Sequence, residues 1–145
     1  MSLLDDLLSK APTRIWSASC AIRTLRDSAL LAELATHIEQ IRTSTQGIDL
    51  GGALRPNSSH LNFALRKLEW AQNSEGCLCG LYPLDDLYDP NQEAKAGNIQ
   101  ILSTHYLENG YLDFYETECA LCNTRFRVEE QDYHYTWWSW KAVRG

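Results

Sequence analysis

Four of the five cysteines fall in two tight pairs, Cys77 and Cys79 in SEGCLCGLYP and Cys119 and Cys122 in ECALCNTRFRV. A structural zinc ion takes four deprotonated ligands in a tetrahedron, with sulfur at about 2.3 Å. The two-residue gap between Cys119 and Cys122 lets both sulfurs of one turn face a single ion. Side chains two apart in a strand share a face, so a local bulge would tilt Cys77 and Cys79 together. These four residues are the expected ligands of one structural Zn2+. Two other arrangements suit the same residues: a metal-free cluster of buried thiols, and a redox pair. Redox chemistry of the thioredoxin type places its first cysteine at a helix N-terminus, whereas Cys122 leads into the strand-like TRFRV.

The remaining candidates for chemistry are scattered. His105 and His134 fall in strand-like segments, where either can stand in for a cysteine ligand. His37 and His60 lie in helical segments without a partner at metal spacing, and Cys20 is a lone thiol among Trp16, Ile22 and Leu25, suited to a small core position. Asp85, Asp86 and Asp89 make an acidic loop in DDLYDP. No H-E-x-x-H, G-x-S-x-G, phosphate-binding loop or dinucleotide fingerprint is present. A four-cysteine zinc has no open coordination position, and no nucleophile, base and orienter are tied together by spacing. The expectation is therefore a protein without catalytic activity. A metal-dependent hydrolase using Asp85, Asp86 or a histidine is the enzymatic alternative.

The elements that must position the cysteines change period halfway along the chain. SLLDDLLSKA sets Leu3, Leu4, Leu7 and Leu8 on one face, and TRIWSASCAIRTL turns Ile15, Ile22 and Leu25 inward. DSALLAELATHIEQIRTST predicts one long helix through Leu30, Leu31, Leu34, Ile38 and Ile41, capped by Asp27 or Ser28 and followed by Gly47. SSHLNFALRKLEWA predicts another, capped by Ser58 or Ser59. Beyond it, the stretch from Tyr82 to Gly97 reads as a surface loop. NIQILSTHYL and YLDFYETE flank Asn109-Gly110 as a hairpin with a type I' turn, and TRFRVEE and DYHYTWWSWKAV predict two more strands. Helices followed by strands predict an α+β fold, N-terminal helices packed on a C-terminal antiparallel sheet carrying a ribbon-like four-cysteine zinc site. The 145 residues, 44% apolar, suit a single domain over 1–145, with a helical layer in 1–73 and a zinc-pinned sheet in 74–145.

MSLLDDLLSK has no basic leader, and no apolar run approaches the roughly 20 residues of a membrane span. A cytoplasmic protein is expected, in a reducing compartment where clustered cysteines hold metal more often than disulfides.

The net charge of −6 is uneven. Residues 74–145 hold 12 acidic and 5 basic side chains, so that half carries −7. Four thiolates around one dication add −2 more. Nucleic-acid binding needs lysines and arginines against phosphates, and besides Lys95 only Arg125, Arg127, Lys141 and Arg144 lie in this region. A basic protein partner suits it instead. Glu116, Glu129, Glu130 and Asp132 would steer encounter, and an exposed tryptophan among Trp137, Trp138 and Trp140 would anchor the complex.

A small acidic chain without catalytic motifs, carrying a C-x-x-C ahead of the aromatic strand YHYTWWSW, resembles the immunity proteins of bacterial polymorphic toxin and contact-dependent inhibition systems. The resemblance implies a protein that binds a cognate basic toxin domain and blocks its active site. A small zinc-ribbon adaptor binding another protein is the alternative.

Overall fold

Ser2 opens the first helix through a reciprocal cap, its hydroxyl accepting from the amide of Asp5 while the Asp5 carboxylate accepts from the amide of Ser2. The computed structural model describes residues 2–53, 55–133 and 135–143. It divides the chain into two compact units, Met1–Gly76 and Cys77–Gly145. The boundary falls beside the expected change from helical to strand periodicity. No helix of the described residues is long and apolar enough to cross a membrane.

The first unit is helical: α1 (Leu3–Leu7), α2 (Pro12–Thr24), α3 (Ser28–Ala35), α4 (Ile38–Thr45) and α5 (Ser58–Gln72). Pro12 sits at the first turn of α2, where its missing N–H has no helical partner to lose. The Asp27 carboxylate caps α3 by accepting from the Leu30 amide at 3.1 Å. The helix predicted across 28–45 is broken at Thr36–His37. The Thr36 hydroxyl turns back to the Glu33 carbonyl at 2.7 Å, and the chain restarts at Ile38. Helix α5 takes its cap position at Asn57 rather than at Ser58 or Ser59. The Ser59 hydroxyl is committed to the Pro56 carbonyl and the Asn57 amide group to the Leu50 carbonyl.

Leu7, Ile15, Ile22, Leu31, Leu34, Ile41 and Leu68 are almost completely buried in this unit, each stabilising by about 1.5–3 kcal/mol relative to an exposed position. Lys67 is buried beside them, only 1% exposed. Its ammonium group donates to the carbonyls of Ile22, Arg23 and Leu25 at 2.8, 2.7 and 2.7 Å. A cation at the C-terminal end of α2 is favoured by the helix dipole and satisfies the terminal Arg23 and Leu25 carbonyls, while the Ile22 carbonyl also accepts from the Leu25 amide.

The second unit begins with a 3₁₀ turn, Leu78–Leu84, and a short helix α6, Pro90–Lys95. Helix α6 and the end of the turn lie in the predicted loop 82–97, whereas Leu78–Leu81 lie where the sequence predicts a strand edge. Asp89 caps α6 through the amide of Asn91, and Pro90 occupies its first turn. Tyr82 and Tyr88 are buried, so this segment is core rather than solvated connection.

Four antiparallel strands follow as a meander in the order β1 (Ile99–Tyr106), β2 (Leu112–Cys119), β3 (Arg125–Tyr133) and β4 (Tyr135–Val143). The β1–β2 connection differs from the predicted type I' turn. Asn109 does not have positive φ, Gly110 does at 87°, and the amide of Gly110 donates to the Leu107 carbonyl. This is a three-residue loop with its left-handed residue at Gly110. Strand β3 runs on to Tyr133 and pairs it with Tyr135, so the last strand starts later than DYHYTWWSWKAV suggests.

One face of the sheet is buried through Ile99, Thr117, Cys119, Phe126, Val128, Trp138 and Trp140. Tyr82 stacks on Trp140 with ring centroids 4.2 Å apart and 22° between planes, and the Trp140 indole donates to the Tyr88 carbonyl at 2.9 Å. The 3₁₀ turn bearing Cys79 is thereby fastened to the sheet.

Candidate metal centre

The first cysteine pair is shaped by the 3₁₀ turn rather than by a bulged strand. Gly76, at φ 124°, takes a backbone conformation that glycine adopts without strain, and Cys77 follows in an extended one, immediately before the turn. The Gly80 amide donates to the Cys77 carbonyl at 3.0 Å, and the Cys79 amide donates to the Cys77 sulfur. The second pair spans the β2–β3 loop. Cys119 is the last residue of β2, its amide bonded to the Thr124 carbonyl at 2.8 Å, while the Asn123 amide returns to the Cys119 carbonyl at 3.0 Å. Asn123 closes the loop with φ 63°, a left-handed conformation that asparagine tolerates better than most side chains.

These two turns bring all four sulfurs within 4.8 Å of one another. Cys77 Sγ lies 3.7 Å from Cys119 Sγ, and Cys79 Sγ lies 3.4 Å from Cys122 Sγ. A tetrahedral ion with bonds of about 2.3 Å to sulfur sets its ligands about 3.8 Å apart, so the cluster could hold a metal ion without rearrangement of the backbone. Cys79 and Cys119 are buried, Cys77 is partly so, and Cys122 is exposed.

Electrostatics divide the set. Burial pushes the Cys77 and Cys79 thiols up, a penalty that a bound dication would offset. The Thr124 hydroxyl, 3.1 Å from Cys122 Sγ, is the main cause that brings this thiol down to about 6, aided by the Thr124 amide. Hydrogen bonds to a ligand sulfur are the outer support a metal centre needs. Thr124 was not singled out by the sequence. Its signal was the short polar Asn-Thr step directly after the second cysteine.

The other candidate ligands are elsewhere. His105 pairs with Phe114 near the far end of β1, whereas Cys119 pairs with Ile99 at its beginning. The His105 ring stacks on Phe114 at 4.2 Å and bonds the Ser103 hydroxyl. His134 lies outside the described residues. His37 interacts with Gln40, and His60 with Arg23. Cys20 is half-buried on α2 in the helical unit and outside the sulfur cluster.

The predicted partner-binding residues do not form one surface, because strand side chains alternate between faces. Trp138 and Trp140 are 7% and 3% exposed and belong to the core, which leaves Trp137, half-buried on the opposite face, as the accessible member. Glu116 and Glu129 share the face of Trp137. Glu116 accepts from the Ser103 hydroxyl, and Glu129 pairs with Arg127. Glu130 and Asp132 alternate with Glu129, on the side of Trp138, and are exposed without an ion pair among the described residues.

An unpredicted feature sits at the end of the sheet away from the cysteine loop, where the meander places the β1–β2 and β3–β4 turns together. Tyr106, Leu107 and Tyr111 are 67, 47 and 74% exposed there. Segments 106–113 and 128–137 hold Glu108, Asp113, Glu129, Glu130 and Asp132 but no lysine or arginine.

No protein-family pattern, no curated protein and no solved structure shows significant similarity to this chain.

Proposed function

We propose that the chain is a zinc-stabilised, non-catalytic domain that binds a basic protein partner, acting as an immunity protein that neutralises a cognate toxin domain. Zinc is the ion that an all-cysteine set at tetrahedral spacing suits best, since four thiolates favour a soft-accepting ion without demanding redox chemistry. Four sulfurs also leave no position for water or substrate on that ion, which supports a structural role.

The observation that carries the binding reading is the acidic, aromatic end of the sheet. Tyr106 and Tyr111 are exposed on the β1–β2 connection with Glu108, and Glu130 and Asp132 are exposed toward the end of β3, in segments free of lysine and arginine. Tyrosines offer large contact area at little conformational cost, and unpaired acids attract a basic surface and reject an acidic one. The proposed surface is thus moved from the tryptophan strand to the sheet end, with Trp137 at its border.

Co-expression provides the test. A basic toxin domain encoded beside this chain should arrest growth alone and be tolerated when the chain is present. It should co-purify with the wild-type chain, and less well with Tyr111→Ala or Asp132→Lys. Tolerance without a physical complex would contradict the reading.

A further inference from the structure

We propose that Cys79 and Cys122 form an oxidation-sensitive pair, in which a peroxide-class oxidant replaces the metal clasp by a disulfide between them. The inference rests on the four-cysteine zinc centre proposed above and concerns its regulation. Three observations lead to it. Cys122 is the exposed member of the cluster and so the first to meet an oxidant from solvent. Its sulfur lies 3.4 Å from that of Cys79, closer than the 3.7 Å between Cys77 and Cys119. Cys79 is itself only 3% exposed, shielded from direct attack but placed to resolve a modified Cys122.

The chemistry balances with the oxidant alone. The Cys122 thiolate attacks one peroxide oxygen, the O–O bond breaks, and hydroxide leaves with its electron pair, giving a sulfenic acid. The Cys79 thiolate then attacks that sulfur, the S–O bond breaks, and a second hydroxide leaves as the S–S bond forms. The two electrons lost by the sulfur pair are those gained by peroxide. A disulfide needs its sulfurs about 2.05 Å apart, so side-chain rotation must close the remaining gap. The ion loses two of its four donors and dissociates as the dication.

The choice of pair has a structural consequence. A Cys79–Cys122 bond spans 43 residues and ties the 3₁₀ turn to the β2–β3 loop, the connection the ion otherwise makes. A Cys119–Cys122 bond would stay within one loop and leave the 3₁₀ turn unfastened. The oxidised, metal-free sheet unit is therefore expected to remain folded.

Zinc-loaded, reduced protein can be titrated with hydrogen peroxide while released zinc is read with a chromogenic chelator, disulfides by non-reducing peptide mapping, and folding by circular dichroism. One zinc should be released per Cys79–Cys122 disulfide, with the sheet signal retained and the change reversed by a thiol reductant with added zinc. Zinc-bound protein that instead yields a Cys119–Cys122 disulfide, or only sulfinic acid, would overturn this inference and leave the metal centre standing. Protein that binds no zinc when reduced would overturn the metal centre itself, and this inference with it.

Discussion

The sulfur of Cys79 lies 3.4 Å from that of Cys122 although 43 residues separate them in the chain, so the 3₁₀ turn and the β2–β3 loop meet at their cysteines. Metal binding at such a junction is coupled to folding, because the unfolded chain has no preformed site. Cys79→Ser should therefore lose the metal and lower the melting temperature markedly. Cys20→Ala, in the helical unit, should leave metal stoichiometry unchanged, as elemental analysis of both variants will check. Loss of metal from Cys20→Ala would show the ligand set to be wrong.

Metal affinity should fall as pH falls, since ligands must be thiolates. Cys77 and Cys79, pushed up by burial, must give up protons on binding at neutral pH, whereas Cys122, at about 6, is already ionised there. Below about 6 Cys122 must also be deprotonated, and the dependence steepens. Thr124→Val removes the hydroxyl that lowers Cys122 and should move this break to higher pH. Competition against a zinc-binding dye across pH reads the break, and an unmoved break would contradict the assigned role of Thr124.

Lys67→Met tests the helical unit by itself. The substitution keeps an apolar stem but leaves the carbonyls of Ile22, Arg23 and Leu25 without the ammonium donor. The charge leaves with the side chain and neutral buried carbonyls remain unsatisfied, which should cost about 1–3 kcal/mol, seen as a lower denaturant midpoint. A change below 1 kcal/mol, on the order of a surface substitution, would mean that solvent replaces the amine.

Charge reversal at Glu130 and Asp132 should slow association with a basic partner at low salt and have less effect at high salt, because rim charges act on encounter. Tyr111→Ala should instead speed dissociation. Surface plasmon resonance separates the two rates, and indifference of both would place the partner elsewhere.

The cysteine set and the two-part fold were legible because their signals are local. Paired thiols need only a turn, and alternation or three-to-four spacing survives whatever packs against it. Features set by long-range contact were not. Tyr82 and Tyr88 belong to the core because Trp140, more than 50 residues on, stacks on one and bonds the other. The burial of Lys67 has no local signal, since it depends on the carbonyls of Ile22, Arg23 and Leu25 more than 40 residues earlier in the chain. The Asn109-Gly110 step correctly marked a turn, but its type follows from strand register, which two residues cannot specify. For the aromatic strand, period-two alternation separated Trp137 from Trp138 and Trp140 without revealing which face was inside.

Elemental analysis of protein purified without added metal should find about one zinc per chain, held by Cys77, Cys79, Cys119 and Cys122 and released together with loss of the sheet unit's fold when a strong chelator is added under reducing conditions. Folded protein free of zinc, with all four thiols reduced, would contradict the four-cysteine zinc centre.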